Sequence, residues 1–210
     1  SVEKEYIAEV LVGIETDTLD STGKVLNTYD VDNLTNEDLI KTLNSFIGKY
    51  NQEVPKYSAV HVNGKRLYEY ARNDIEVTLP KREVEIKEIE LVKPLEKENK
   101  IYKFSFRVRV SKGTYIRSLI RDIGTSIGIP CTMNNLNRIK QGTFDIDESI
   151  SLEEISNDKL IDIKDALKEY DKLVVDSNLE VKVRNGMILD KKIDNYVLIL
   201  NSKEELIAIY

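Results

Sequence analysis

At 210 residues the chain is long enough for one substantial core and a small second domain. Its 41% hydrophobic and 32% charged residues exclude a disordered polyelectrolyte, and no apolar run approaches a membrane span. The net charge is −6, and one Cys with one His excludes an intramolecular disulfide, leaves few donors for a transition metal, and fits a reducing cytoplasm.

Residues 4–15 alternate, with Tyr6, Ala8, Val10, Val12 and Ile14 on one face, and predict a strand. Asp20-Ser21-Thr22-Gly23 predicts a turn, and residues 25–29 a partner strand. Thr35-Asn36-Glu37-Asp38 reads as the start of a capped helix carrying Leu39, Ile40, Leu43, Phe46 and Ile47, with Gly48 as its stop. A short strand and an Asn-Gly turn are expected over 55–64, a basic, tyrosine-bearing helix over 65–72, and strands over 76–79 and 83–92. Residues 101–110 give the clearest strand: Tyr102, Phe104, Phe106, Val108 and Val110 inward, Lys103, Ser105, Arg107 and Arg109 outward. Thr114 is expected to cap a helix reaching about residue 127, with Ile116, Leu119, Ile120, Ile123 and Ile127 as its buried stripe. Gly128 and Pro130 end it, and 132–140 returns to the sheet.

After Phe144 the character changes. Residues 143–210 carry sixteen acidic and nine basic side chains. Helices are expected from Ser151 and over 162–169, then short strands over 173–175, 181–183, 196–200 and 206–210. The organisation expected is α+β: a mixed, mostly antiparallel sheet with packed helices over residues 1–170, then a small β domain over 171–210.

Charge is unevenly placed. Between Ile101 and Gly142 stand Lys103, Arg107, Arg109, Lys112, Arg117, Arg121, Arg138 and Lys140 against the single acid Asp122, a local +7. A positive island in an acidic chain is the footprint expected where a polyanion docks. Eleven Tyr and no Trp supply stacking faces with polar tips, although any one Tyr is more simply an edge of the core.

Familiar catalytic motifs are absent: there is no P-loop, no dinucleotide fingerprint and no zinc spacing. His61 sits in a loop context, without a nucleophile elbow, and suits a solvated residue touching phosphate. The acids Asp17 and Asp20 belong to a turn, and Glu37, Asp38, Glu153 and Glu154 to helix starts, so none stands out as a general acid or base. Gly113-Thr114-Tyr115-Ile116-Arg117 is different. A helix start offers free N–H groups, and Arg117 in the first turn opposes the helix dipole, so either a partner acid or phosphate faces it or it is simply solvated.

In order along the chain come Lys4-Glu5-Tyr6, Gly13 to Thr18, Pro55-x-Tyr57-Ser58-Ala59, Gly64, Tyr68-Glu69-Tyr70-Ala71-Arg72, Ser111 to Arg117, Leu136-Asn137-Arg138, Gly142 and Phe144. Val175-Asp176 and Asn185-Gly186-Met187 extend the set. This ordered set resembles the bacterial tRNA pseudouridine-55 synthase family, the TruB type. The resemblance implies that a uridine in the tRNA T-arm is flipped out and isomerised: N1–C1′ breaks, the base turns, and C5 bonds to C1′, with neither metal nor organic cofactor. It implies Tyr6 as the tyrosine stacking on the base and handling the C5 proton, and Arg117 as the partner of the catalytic aspartate. Tyr115 and Leu136 would line the uridine pocket. Lys103, Arg107, Arg109, Lys112, Arg121, Arg138, Lys140, Arg72 and His61 would contact RNA, and the small C-terminal domain would be of the PUA type.

The pattern departs from the family in one major respect. The family's Asp-Pro motif with the nucleophilic aspartate has no counterpart, since no Asp-Pro pair occurs. The chain therefore reads as the C-terminal portion of such a synthase, expected to be monomeric and inactive alone. His61, Thr132 and Asn137 also stand where other residues are common. Two further readings remain: a non-catalytic RNA-binding module, and an enzyme holding a small phosphate ligand at the Gly113–Arg117 helix start.

Overall fold

The opening alternation folds as β1 (Lys4–Val12); Gly13, at a φ of 79°, then breaks the strand, and β2 (Ile14–Thr16) pairs with β3 (Val25–Thr28) in a separate hairpin. A side chain at Gly13 would meet the Tyr29 carbonyl at 2.5 Å, so the strand break requires glycine. The computed structural model describes residues 3–99, 101–189 and 196–210. The chain divides into two units, residues 1–149 and 150–210, so the division falls earlier than the 170/171 boundary expected from sequence.

In the first unit, α1 (Asn36–Ser45) carries the expected capping box between Thr35 and Asp38, and its first turn is tied to the sheet where Leu95 N–H donates to Asn36 Oδ1 at 2.7 Å. Gly48 does not end this helix; at a φ of 110° it opens β4 (Gly48–Glu53), an edge strand absent from the sequence reading. Its sequence, GKYNQE, is polar throughout, as edge strands often are. The Asn63-Gly64 turn joins β5 (His61–Val62) to β6 (Lys65–Arg66), and α2 is shorter than expected, Leu67–Arg72. Residues 76–79 form no strand, whereas β7 extends over Lys81–Glu98. β8 (Ile101–Val110), α3 (Ile116–Ile127) and β9 (Cys131–Gln141) follow as expected, and β10 (Phe144–Asp145) adds a short edge.

Six strands in the order β10-β9-β1-β8-β7-β4 make one wholly antiparallel sheet. On one face Ala8, Val10, Phe104, Phe106, Val108 and Ile86 are buried against Leu39 and Leu43 of α1 and Leu119, Ile120 and Ile123 of α3. Burial of each such large side chain contributes about 1.5–3 kcal/mol. Thr114 does not cap α3. Its hydroxyl donates to Ser111 O at 2.9 Å, and Tyr115 takes the N-cap position without a side-chain cap bond. Gly128, at a φ of 74°, closes the helix in the left-handed conformation.

In the second unit, single 3₁₀ turns at Leu152–Glu154 and Asn157–Lys159 and the four-residue α4 (Ile163–Ala166) stand where longer helices were expected. β11 (Asp171–Val174) precedes α5 (Ser177–Arg184), which replaces the strand expected over 181–183. The Asp176 side chain caps α5 by accepting from Leu179 N–H at 2.8 Å, a local signal that outweighs the β-branched Val181 and Val183. β12 (Val197–Leu200) lies parallel to β11 and antiparallel to β13 (Leu206–Ile209). No helix among the described residues is long and apolar enough to cross a membrane.

Gly124 marks where α3 meets the chain returning into β9. An added Cβ would stand 2.7 Å from Cys131 N and 2.9 Å from Ile129 O, both backbone atoms that cannot swing aside. Gly124→Ala is therefore expected to destabilise the protein by about 1–3 kcal/mol despite alanine's better helix propensity, read as a lower urea midpoint with an unchanged m-value.

Candidate nucleic-acid site at the start of α3

Strand register decides what the helix-covered face of the sheet presents near the start of α3. Tyr6 lies opposite Val108 on β8 and Arg138 on β9, and Ala8 lies opposite Leu136. β9 reaches this pairing through register shifts between Glu9/Val10 and between Glu5/Tyr6. Odd-numbered Cys131 and Met133 pair with the inward residues Val12 and Val10, whereas after the first shift the even-numbered Leu136 and Arg138 pair with Ala8 and Tyr6. An extra residue in one strand reverses which face its side chains take. Leu136 consequently packs on the main core together with Tyr6. Period-two alternation cannot reveal such a shift in advance.

β8 leads through Ser111-Lys112-Gly113 to α3, so the helix starts at the end of the sheet where β1 begins. Tyr115 is fixed by its main chain: its N–H donates to Gln52 Oε1 at 2.8 Å, and its carbonyl accepts from Gln52 Nε2 at 3.1 Å. Arg117, half-buried, donates from Nη1 to Thr18 O at 3.0 Å and from Nη2 to Tyr57 O at 2.9 Å. One guanidinium thus ties the turn after β2 and the loop before β5 to the first turn of α3. Among the described residues it forms no ion pair, and the two groups that accept from it are carbonyl oxygens. Their partial negative charges meet a cation that the helix dipole alone disfavours.

Acids near Thr18 are occupied in building its turn. Asp17 Oδ1 accepts from Lys24 N–H at 2.8 Å, and Asp20 Oδ1 from Thr22 N–H at 2.9 Å. Ser58, 7% exposed and adjacent to Tyr57, has a buried hydroxyl without a hydrogen-bond partner among the described residues. Gln52 did not stand out in the sequence, and Ser58 entered only as a member of the ordered motif set; the available signal for Gln52 was a polar residue at an inward position of an edge strand.

The basic island separates into two groups. Lys103 pairs with Glu98; Arg107 with Glu5 at 2.6 Å and Glu90 at 3.7 Å; Arg109 with Glu88 at 2.5 Å and Glu3 at 3.3 Å; Arg121 with Asp122 at 2.8 Å and Glu53 at 3.2 Å. The outward charges of β8 are thus met across the sheet by acids from β1 and β7, and the local excess is much smaller than +7. Hydrogen bonding to Glu98 and to Glu88 raises the pKa values of Lys103 and Arg109. Lys112, Arg138 and Lys140 are exposed and form no ion pair among the described residues. Arg72 lies 5.3 Å from the Tyr68 ring centroid and Arg66 5.9 Å, so that tyrosine is flanked by two guanidinium groups. His61 is exposed in the β5–β6 hairpin.

A cavity of about 340 Å³ lies beside the end of α3, lined by Glu15, Thr16, Arg121, Gly124 and Cys131 among others. Of the residues expected to serve the site only Arg121 borders it, so the functional grouping rests on register and hydrogen bonds rather than on concavity. No group of three or more His, Cys, Asp or Glu side chains among the described residues could hold a metal ion. Burial pushes the Cys131 thiol up to about 12, because desolvation penalises the thiolate. Cys131 is therefore expected to resist iodoacetamide at pH 8 in the folded protein and to react readily after unfolding in urea, as read by mass spectrometry.

The family model described as TruB family pseudouridylate synthase, N-terminal domain, matches residues 1–116. The tRNA pseudouridine synthase B of Shouchella clausii is 40% identical over 219 residues, covering 99% of this chain and 72% of that protein. Its counterpart in Clostridium tetani is 38% identical over 216 residues, covering 98% and 73%. Among solved structures, a Cbf5-Nop10-Gar1 complex matches at a TM-score of 0.66 with 23% identity, covering 99% of this chain and 59% of the matched chain. An H/ACA ribonucleoprotein bound to a substrate RNA containing 2′-deoxyuridine gives a TM-score of 0.65 at 22% identity, covering 58% of its matched chain. These two establish a shared fold; the sequence relatives and the family model establish descent, and the chain belongs to the TruB family of pseudouridylate synthases.

Proposed function

We propose that the protein is a tRNA pseudouridine synthase that isomerises uridine-55 in the T-arm. The observation that carries this reading is 40% identity, along 99% of the chain, to a protein named tRNA pseudouridine synthase B. The reaction moves the uracil from an N1–C1′ to a C5–C1′ linkage, with the C5 proton lost and a proton gained at N1, so no redox partner or group donor is required. A stacked base must first leave its helix, and an aromatic ring with an apolar wall can hold it. Tyr6 and Leu136, brought to one face by the register of β1 and β9, support that role. Tyr115, at the start of α3, would complete the pocket.

Arg117 would orient the nucleophilic carboxylate. Two of its five N–H donors are engaged by Thr18 and Tyr57 among the described residues, which supports a guanidinium held in place with donors to spare. Lys112, Arg138 and Lys140, with Arg72 and His61, would meet phosphates, while Lys103, Arg107, Arg109 and Arg121 would contribute less because carboxylates already face them. A reducing cytoplasm would suit both the tRNA substrate and the single unpaired cysteine.

Tritium release from C5-labelled uridine in tRNA tests the reading on the intact protein. Release that disappears when the T-arm uridine is replaced by cytidine is expected; binding of tRNA without release would favour a non-catalytic RNA-binding module instead. Arg117→Ala should lower turnover by at least ~10²-fold while tRNA affinity largely persists, since misorientation costs the chemical step.

The divided island generates a separate expectation. Lys112→Ala and Arg138→Ala should each weaken tRNA binding and flatten the slope of log affinity against log salt by about 1. Lys103→Ala and Arg107→Ala should change that slope less. Fluorescence anisotropy over a salt series measures all four, and equal slopes would contradict the division.

A further inference from the structure

We infer that Gln52 is a positioning residue of the active site, setting the main chain of Tyr115 and, through it, the direction of Arg117. This rests on the isomerase reading. The side chain is 1% exposed in an otherwise polar edge strand, where an amide is retained only if its hydrogen bonds are made. They are: Oε1 accepts from Tyr115 N–H at 2.8 Å, while Nε2 donates to Tyr115 O at 3.1 Å and to Tyr50 Oη at 2.6 Å. The primary amide thus imitates a strand neighbour, holding both polar groups of one peptide residue.

That residue is the N-cap of α3, where no side chain of the helix's own makes a cap bond. The Tyr115 carbonyl also accepts from Leu119 N–H at 3.0 Å, so Gln52 grips the group that begins the helical ladder. β4 reinforces the grip one residue on, where Glu53 O accepts from Ser118 Oγ at 2.8 Å and from Arg121 Nη2 at 3.3 Å. Tyr50, behind the amide, is held in turn, its hydroxyl donating to Asp122 Oδ2 at 3.4 Å, and burial followed by the charge of Asp122 raises its pKa. Bonds between Gln52 and Tyr115 and from Ser118 to Glu53 O therefore hold the start of α3 against β4, with Arg121 and Asp122 adding contacts one turn on, while Arg117 reaches the carbonyls of two other segments. Rotation of Tyr115 about its main chain would carry Arg117 away from Thr18 and Tyr57. Gln52 touches no reacting atom in this arrangement; it acts through Tyr115.

Gln52→Met preserves length and apolar volume while removing every one of these hydrogen bonds, and Gln52→Glu keeps the acceptor for Tyr115 N–H while losing both donors. In the intact protein Gln52→Met is expected to lower kcat by about 10²-fold with KM for tRNA little changed. Its Tyr115 amide should exchange hydrogen roughly tenfold faster while the central β1 and β8 amides stay protected. Gln52→Glu should restore protection of the Tyr115 N–H without restoring kcat. A folded Gln52→Met protein with wild-type kcat and wild-type exchange at Tyr115 overturns the inference. So does a loss of kcat that comes with equal losses in tRNA affinity and core protection, which marks Gln52 as packing alone. A wild-type protein that binds tRNA but releases no tritium would instead defeat the isomerase reading, and the exchange measurement would still decide whether Gln52 sets Tyr115.

Discussion

β1 lies between β8 and β9, and its register with those two neighbours governs the rest of the first unit. Pairing with β8 is uninterrupted from Lys4↔Val110 to Val12↔Tyr102, which fixes Ala8 and Val10 against Phe106 and Phe104 in the core. Pairing with β9 is shifted twice, which places Leu136 and Arg138 beside Ala8 and Tyr6. One neighbour thus serves stability and the other the proposed site. A slip of one residue against β8 would send the entire buried set toward water, whereas the shifts in β9 relocate only a few side chains at the end where α3 begins.

Electrostatics follows the same sheet. Counting charge along residues 101–142 suggests a continuous basic surface, but a strand's neighbours in space are residues of other strands. Glu5 from β1 and Glu88 and Glu90 from β7 lie opposite or beside Arg107 and Arg109, so the outward face of β8 becomes a lattice of ion pairs, exposed except at the largely covered Glu5 carboxylate. Such pairs add little stability in water. Their larger consequence is to leave the net positive potential to residues beyond the lattice: Lys112 in the loop ahead of α3, and Arg138 and Lys140 on β9. All three lie toward the end of the sheet where α3 begins: Arg138 pairs with Tyr6 on the proposed base-holding face, whereas Lys140 pairs with Glu5 and stands beside Glu3, Glu88 and Arg109 on the opposite face.

Sequence periodicity revealed the elements whose burial alternates simply. β1, β8 and α3 were legible because one face of each is apolar and the other is not, and Gly128 supplied a sharp stop. β4 was not legible, because its inward positions carry Tyr50 and Gln52, which satisfy their polar groups internally instead of by being apolar. The strand expected at Val181 and Val183 became α5 because β-branching is a weaker local preference than the Asp176 cap with the small core formed by Val175, Val183 and Ile199. For the proposed site, the family resemblance named candidate residues, but Arg117's contacts were not legible. Nothing in the spacing distinguishes a guanidinium bound by carbonyls 99 and 60 residues away from one bound by a carboxylate.

Those two carbonyls explain how a cation can occupy the first turn of a helix. The dipole of α3 would repel it, and no helix-borne acid compensates, since the first turn carries none. Thr18 O and Tyr57 O supply the missing negative potential without adding a charge, so the guanidinium retains its full attraction for an anion while its orientation is fixed. A carboxylate in the same place would neutralise it. Holding the side chain with backbone carbonyls, and the helix start with the Gln52 amide, therefore builds a rigid cationic site entirely from neutral partners. Rigidity obtained in this way leaves the charge available for the chemistry, which is the condition an electrostatically preorganised site must meet.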